Sequence, residues 1–145
     1  MFKHILVATD GSQLSEKAAL SALQLAKSMS ARLTAVTVSV PFHVFAIDAV
    51  MLTDTEEVYT KECKTKAEQY LRAIKTAAAS SGLSFEGVHA IHDHPYAAII
   101  ETAQQRGCDA ICMASHGRRG ISALVLGSET MKVLTHSQIP VVVWR

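Results

Sequence analysis

Residues 113–131, MASHGRRGISALVLGSETM, combine glycines and hydroxyls in a spacing that could bind a phosphate chain. Gly117 and Gly120 follow a short apolar run, and Gly127 and Ser128 come directly before a helical pattern. Glycine lets the main chain approach a ligand closely, and the first amides of a helix are unpaired donors at the positive end of its dipole. The segment therefore predicts an anion site, with the hydroxyl of Ser128 at the helix cap.

Two arginines in the same segment could add charge to such a site. Arg118 and Arg119 follow Gly117 directly, and their guanidinium groups could reach phosphate oxygens. The alternative is a flexible turn followed by an ordinary Gly-Ser helix start, and the spacing alone does not decide. The sequence holds neither a GxxxxGK[ST] run nor a GxGxxG run after the first apolar segment, so those two phosphate motifs are excluded.

Asp10 and three histidines are the other chemical candidates. Asp10 follows the apolar run HILVAT, and together with Gln13 it also fits a capping box, so it could cap the first helix. His92 and His94 would share one face of a continuing strand, which allows a metal site but fits a strand end and a helix cap better. His116 stands beside the glycine turn, either at the ligand or packed in the loop.

The elements that must position these residues alternate along the chain. Apolar and β-branched runs predict strands, helical spacing of apolar residues predicts helices, and Pro95 suits a helix start. We predict strands at 4–9, 33–40, within 83–92, 110–114 and 139–144, and helices at 12–30, from the Thr53 capping box to Gly82, 95–106 and 128–136. Strict alternation predicts parallel strands with helices on both faces. Residues 41–53 are expected to form an excursion, and the predicted core includes Tyr59, Tyr70, Leu71 and Ile74.

Ligands of such sheets bind beyond the carboxyl ends of the strands, where the strand order switches. Strand one ends near Asp10, and strand four ends near His116. If these two strands are neighbours, the two unusual stretches face the same crevice.

Composition limits the classes of protein that the chain can represent. Its 145 residues, 49% hydrophobic and 19% charged, fit one globular domain spanning 1–145. A net charge of +1 argues against a nucleic-acid partner bound through phosphates. Three cysteines without C-x-x-C spacing suggest reduced thiols, and no apolar run is long enough to cross a membrane. We therefore expect a cytoplasmic protein.

Longer stretches of the sequence resemble the universal stress protein family. The clearest similar segments are HILVATDGS, DHPYAAIIETAQQRGCDAI and DAICMASHGRRGISALVLGSETMKVLTHSQIPVVVWR. The resemblance as a whole covers essentially the full length of the chain, with its elements in the same order. ATP-binding members share the pattern G-x2-G-x9-G-[S/T]. Here Gly117, Gly127 and Ser128 match its last three positions, whereas Ala114 stands where the family has its first glycine.

The resemblance implies a fold, a ligand and a set of site residues. It implies a Rossmann-like three-layer α/β sandwich with a five-stranded, mainly parallel sheet in order 3-2-1-4-5 and two helices on each face. The ligand would be ATP, alone or with Mg²⁺, bound between strands one and four, with no assigned catalytic residue and at most slow hydrolysis or self-phosphorylation. The implied nucleotide-binding residues are Ala8, Thr9, Asp10, Val38, Ser39, Met113, Ala114, His116, Gly117, Arg118, Arg119, Gly120, Gly127, Ser128, Glu129 and Thr130.

The last strand, from Ile139 to Trp144, is expected to lie at an edge of the sheet. An apolar edge invites pairing with another chain, and the resemblance implies a homodimer that pairs these strands across a two-fold axis. The alternative is a strand whose edge the monomer covers.

Three other functions are compatible with parts of the pattern. A nucleotide-free dimeric adaptor is favoured by Ala114. A response-regulator-like receiver would need clustered acids, whereas Asp10 stands alone and Asp93 lacks a paired acid nearby. An adenylating enzyme would need a larger substrate domain than this chain can supply.

Overall fold

The computed structural model describes residues 1–42, 56–118 and 126–145, and within these ranges strands and helices alternate. The elements are β1 (His4–Ala8), α1 (Gln13–Met29), β2 (Arg32–Ser39), α2 (Glu56–Ser80), β3 (Phe85–Ile91), α3 (Pro95–Gln105), β4 (Ala110–Ala114), α4 (Ser128–His136) and β5 (Val141–Trp144). The predicted alternation is confirmed, with strand boundaries that move by at most two residues. The Thr53 capping box and most of the expected excursion lie outside the described residues.

The strands form one parallel sheet in the order β3-β2-β1-β4-β5, as expected. β1 lies at the centre, paired with β2 on one side and with β4 on the other. Chain order turns back on itself between β1 and β4, so the loops that follow these two strands diverge to opposite faces. That divergence opens a crevice at the carboxyl edge of the sheet.

Each face of the sheet is covered by two helices. Residues of α1 and α2 pack on the face that carries Ile5, Val7, Ala35 and Cys112. Residues of α3 and α4 pack on the opposite face, which carries Leu6, Val36, Ile111 and Met113. The period-two alternation of side chains along each strand therefore supplies two separate apolar cores.

The start of α1 decides whether Asp10 caps the first helix. Ser12 is the N-cap, and its hydroxyl accepts a hydrogen bond from the amide of Ser15 at 3.2 Å. Asp10 is therefore not the capping residue, because the chain has not yet turned into the helix at that position. Its carboxylate is left available for contacts outside α1.

Two tyrosines that were predicted in the core are only partly buried. Ile74 is buried, and Leu71 borders the core on the same face, but Tyr59 and Tyr70 extend their hydroxyls to polar partners. The face of α2 that includes both tyrosines is wider than the part of α2 that packs against the sheet. The prediction was wrong for these two residues.

A small polar group lies at the opposite, amino end of the central strand. His4 is only 6% exposed, and its Nε2 shares a hydrogen bond of 2.8 Å with the hydroxyl of Thr34. Among the described residues, Nδ1 of His4 has no hydrogen-bond partner. Burial, assisted by the charge of Arg32, lowers the pKa of His4 below its ordinary value of 6.5.

No helix in the described ranges is both long enough and apolar enough to span a bilayer.

The depressed pKa of His4 predicts a loss of stability in mild acid. Below about pH 6.5 the unfolded chain binds a proton that folded His4 resists, so the free energy of unfolding should fall as the pH falls. One such group can contribute a slope of at most about 1.4 kcal/mol per pH unit. Urea denaturation between about pH 7 and about pH 5 should show a smaller slope for His4→Gln than for the wild type.

A residual slope in that variant is expected, because burial also lowers the pKa of His89. Identical slopes in His4→Gln and the wild type would contradict the assignment.

Candidate functional site

A cavity of about 580 Å³ opens at the carboxyl edge of the sheet, where the chain leaves β1 and β4. Its volume lies within the range of small-molecule sites in proteins. The lining residues are Ala8, Thr9, Asp10, Ser15, Val36, Val38, Val40, Pro95, Ile99, Met113, Ala114, His116, Gly117, Arg118, Gly127, Ser128, Glu129 and Thr130. The expected meeting of the two unusual sequence stretches at one crevice therefore occurs.

Most of the residues that the family resemblance implied lie around this cavity. Of that set, the residues that line it are Ala8, Thr9, Asp10, Val38, Met113, Ala114, His116, Gly117, Arg118, Gly127, Ser128, Glu129 and Thr130. Arg119 and Gly120 fall outside the described residues. Ser39 is described but does not line the cavity.

Ser39 contacts residues in and just after β3. Its hydroxyl shares a hydrogen bond of 2.8 Å with Nε2 of His89, and its carbonyl accepts one of 3.0 Å from the amide of His92. The carbonyl of Ser39 is thus used inside the fold. Val38, one residue earlier, has the opposite orientation along β2, and a ligand contact of Ser39 stays a prediction.

One end of the cavity is apolar. Val36, Val38 and Val40 line it from β2 and the residue after it, and Ile99 and Met113 line it from α3 and β4. Sequence analysis missed Val36, Val40 and Ile99, together with Pro95 and Ser15. The alternating valines were visible in the sequence, but only the strand order shows that their side of β2 borders the open crevice.

The other end of the cavity is formed by the N-terminus of α4. Gly127 is the N-cap, and no side chain caps this end of the helix within the described part of the chain. Ser128, which was expected at the cap, is instead the first helical residue. The amides of the first turn consequently keep donor capacity that an anion could use.

Glu129 connects α4 to α3. Its Oε2 accepts a hydrogen bond of 2.8 Å from the amide of Tyr96 in the first turn of α3, and its Oε1 accepts one of 2.9 Å from Nζ of Lys132. The carboxylate therefore satisfies the start of α3 although it belongs to α4. Both oxygens of the carboxylate are therefore already hydrogen-bonded within the protein.

Asp10 joins the turn after β1 to the turn after β4. Its Oδ1 accepts a hydrogen bond from the amide of Ser12, and its Oδ2 accepts one from the amide of Arg118, both at 3.0 Å. Burial alone would raise the pKa of Asp10, but hydrogen bonds from Ser12, Ser15 and the Arg118 amide outweigh it and lower the pKa. The carboxylate therefore stays ionised and holds the two turns together.

Gly117 is required by this bridge. A Cβ at that position would overlap Oδ2 of Asp10. The glycine thus allows the carboxylate to reach the amide of Arg118 at the next position. An internal contact is therefore enough to account for this motif glycine.

Gly127 is likewise packed against the chain itself. A Cβ there would lie 3.1 Å from Cα of His116 and 3.4 Å from the carbonyl oxygen of Ser115. The amide of Gly127 donates a hydrogen bond of 2.7 Å to that same carbonyl. This contact brings the first turn of α4 beside the end of β4.

Buried hydroxyls stiffen the floor of the cavity. Thr9 and Ser15 share a hydrogen bond of 3.0 Å between their hydroxyls, and the hydroxyl of Thr130 donates one of 3.0 Å to the carbonyl of Ala114. These side chains are 3–6% exposed, so their hydrogen bonds are shielded from water. The floor is therefore built of groups that already have partners.

Ala114 departs from the family pattern without narrowing the apolar end of the cavity. Ala110 and Cys112 belong to the core under α1, whereas Ile111 and Met113 belong to the core under α3 and α4. The alternation of β4 therefore places the methyl of Ala114 on the α1 side of the sheet. The valines and Met113 that line the cavity lie on the other side.

The basic and imidazole groups near the site have partners within the protein. A guanidinium nitrogen of Arg118 donates a hydrogen bond to the hydroxyl of Tyr70, and the guanidinium carbon lies 5.2 Å from the centre of that ring. Nδ1 of His116 and the hydroxyl of Ser115 are 3.1 Å apart. Sequence analysis missed Tyr70, because a helical tyrosine on an apolar stripe has no signal that separates a core role from a loop contact.

The paired histidines do not assemble a metal centre with other ligands in the described residues. Nδ1 of His92 accepts a hydrogen bond of 2.9 Å from the amide of His94, and its Nε2 lies 3.9 Å from a carboxylate oxygen of Glu101. Residues 1–42, 56–118 and 126–145 contain no group of three or more potential His, Cys, Asp or Glu ligands.

Comparison with known proteins gives matches over the full length. The family model described as "Universal stress protein family" matches residues 1–145. Universal stress protein YxiE of Bacillus subtilis is 30% identical over 149 residues, with all of both chains covered. The solved structure of MJ0577, from Methanocaldococcus jannaschii, superposes with a TM-score of 0.79 at 24% identity, covering 99% of this chain and 95% of the other.

A solved universal stress protein in complex with cAMP superposes with a TM-score of 0.74 at 23% identity. The alignment covers 99% of this chain and 97% of that one. At this identity the likeness concerns the fold, which is the same three-layer arrangement.

The bridge between Asp10 and Arg118 predicts an unusual sensitivity at Gly117. Gly117→Ala should destabilise the protein by about 1–3 kcal/mol, because the added methyl must displace the carboxylate or the turn. The cost is measured as the change in the urea unfolding midpoint. In an Asp10→Ala background the same substitution should cost clearly less, and equal costs in both backgrounds would contradict the proposed overlap.

Proposed function

The chain belongs to the universal stress protein family, and on that premise we propose that it binds ATP or another adenine nucleotide in the cavity between β1 and β4. The nucleotide would act as a switch for a stress-response adaptor in the cytoplasm. The observation that carries this proposal is the pairing of an apolar wall with an uncapped helix start across one cavity.

The apolar end suits the base. Val36, Val38, Val40, Ile99 and Met113 offer a surface against which a planar purine can bury both faces. Val38 would present main-chain groups to the base edge at the end of β2. The bound cAMP of the structural relative is consistent with an adenine-sized ligand in this fold.

The α4 end suits the phosphates. The first amides of α4 and the exposed hydroxyl of Ser128 are donors for an anion, and the dipole of α4 adds positive potential. His116 lies on the same wall. Any Mg²⁺ would be held chiefly by the phosphates.

Ala114, at the first position of the motif, is compatible with this ligand. Because the methyl of Ala114 belongs to the α1 side of the sheet, it leaves the apolar wall on the α3 side intact. The carbonyl of Ala114, already bonded to Thr130, contributes to the floor rather than to the anion end.

We assign no catalytic residue. The two carboxylates of the described cavity lining, Asp10 and Glu129, are both held by hydrogen bonds to the protein. Hydrolysis is accordingly proposed to be slow, and occupancy rather than turnover would carry the signal.

A nucleotide-free adaptor is the second candidate. It is favoured by the packing of the motif glycines. Gly117 and Gly127 would be needed for contacts within the protein even without a ligand. The amide of Arg118, one donor of the expected anion cradle, is also already bonded to Asp10.

We also propose a homodimer through β5. Ile139 precedes this strand, and Val141–Trp144 form the last strand of the sheet, with every residue partly exposed. The carbonyls of Pro140 and Trp144 accept hydrogen bonds from amides of β4 and the residue after it. Because backbone groups alternate in direction along a strand, those of Val141 and Val143 point away from the sheet. These outward groups are available to a second copy of the same strand.

Nucleotide binding is testable by calorimetric and thermal-shift titration with ATP, AMP and adenosine, with and without Mg²⁺. ATP at a hundredfold excess over its Kd should stabilise the fold by about 2.7 kcal/mol. Gly127→Val should abolish the shift, because its side chain would push α4 away from His116. Gly87→Ala, whose added Cβ meets neighbours at an ordinary 3.5 Å, is the control that should bind normally.

No shift for the wild type at millimolar ATP would favour the nucleotide-free adaptor instead.

Dimer formation is testable by sedimentation of two proline variants. Val143→Pro removes an outward amide and should give a folded monomer, because the bonds to β4 are unaffected. Val142→Pro removes an amide that faces β4 and should destabilise the strand itself. A Val143→Pro protein that sediments as a stable dimer would reject β5 as the interface.

A further inference from the structure

Tyr70 connects α2 to the turn that follows β4, although it lies outside the cavity. It is partly buried, and its hydroxyl accepts a hydrogen bond from the guanidinium of Arg118. The same guanidinium lies over the tyrosine ring, 5.2 Å from the ring centre, which is a cation–π distance. Arg118 itself lines the cavity, whereas Tyr70 does not.

The ring reaches Arg118 by crossing the turn after β1. Gly11 has φ +73°, and a Cβ built on it would overlap one edge of the Tyr70 ring. The missing side chain at Gly11 is therefore the space that the ring occupies. Three segments meet at this point: α2, the turn containing Asp10 and Gly11, and the residues that lead from β4 to Arg118.

Arg118 is consequently held at two places. Its amide donates to Oδ2 of Asp10 at 3.0 Å, and its side chain is held by Tyr70. The main-chain contact holds the backbone of the turn in place. The side-chain contact restricts the rotamers of the Arg118 side chain. Long exposed arginine side chains otherwise lose considerable rotamer entropy when a ligand orders them.

We propose that Tyr70 is a positioning residue for the phosphate end of the cavity, acting through Arg118. By ordering the guanidinium and the turn before a ligand arrives, it lowers the entropic cost of binding a phosphate. The base end of the cavity lies on β2 and α3, away from this contact. The effect of Tyr70 therefore falls on phosphorylated ligands and spares a nucleoside.

This inference rests on the proposed nucleotide site, and titration with a matched pair of ligands tests it. Tyr70→Ala should weaken ATP binding about three- to tenfold, the range of one modest hydrogen bond, and leave adenosine binding unchanged. Tyr70→Phe, which keeps the ring, should give an intermediate loss. Arg72→Ala, an exposed residue of the same helix, is the control and should bind both ligands normally.

A double-mutant cycle with Arg118→Ala separates this role from a general one. If Tyr70 acts through Arg118, the double variant should bind ATP no more weakly than Arg118→Ala alone. Additive losses, an equal loss for adenosine, or tighter ATP binding by Tyr70→Ala would each overturn the proposal. Failure of the wild type to bind either ligand would instead reject the nucleotide site.

Amide hydrogen exchange in the ligand-free protein tests the role of Tyr70 even if no nucleotide binds. The amide of Arg118 should exchange with solvent several-fold faster in Tyr70→Ala than in the wild type, because its bond to Asp10 is then less well held. The amide of Thr9, bonded to the carbonyl of Val36, is the internal reference. Unchanged exchange at Arg118 would overturn the positioning role whatever the nucleotide result.

Discussion

The carboxylate of Asp10 is the contact on which the shape of the site depends. It accepts hydrogen bonds from amides in two turns that are more than a hundred residues apart in sequence. It stays ionised because its hydrogen bonds outweigh the effect of burial on its pKa. Hydrogen bonds to a charged group contribute about 1.5–3 kcal/mol, more than neutral ones. The turns after β1 and β4 are thus joined beside the cavity by one side chain, and the absence of a side chain at Gly117 gives it room.

This constraint changes what the glycine pattern means. Gly117 makes room for Asp10, and Gly127 makes room for His116, so both positions are explained by the walls of the cavity. The pattern therefore specifies a geometry first and a ligand only indirectly. What distinguishes a binding site from a well-packed turn here is the remaining space, together with a helix start that no described side chain caps.

The fold was largely predictable because its signals are local. Apolar runs such as HILVA and AICMA give strands, and Pro95 gives a helix start. The site was less predictable where orientation decides: Ser39 and Val38 are adjacent, yet only Val38 lines the cavity. Tyr70 was missed for a different reason, because its partner Arg118 is remote in sequence and the contact exists only after α2 packs beside the turn containing Gly11.

The two helix starts beside the cavity show why one end of it suits an anion. The amide of Tyr96, in the first turn of α3, is satisfied by the carboxylate of Glu129, which α4 supplies from its own first turn. That side chain could have turned back to cap α4, but it is committed to α3 and to Lys132. One amide at the start of α3 is therefore satisfied, whereas no described side chain caps the start of α4. A ligand with one anionic and one apolar end can satisfy both ends of the cavity in a single orientation, with its charge at α4 and its flat face against the valines of β2.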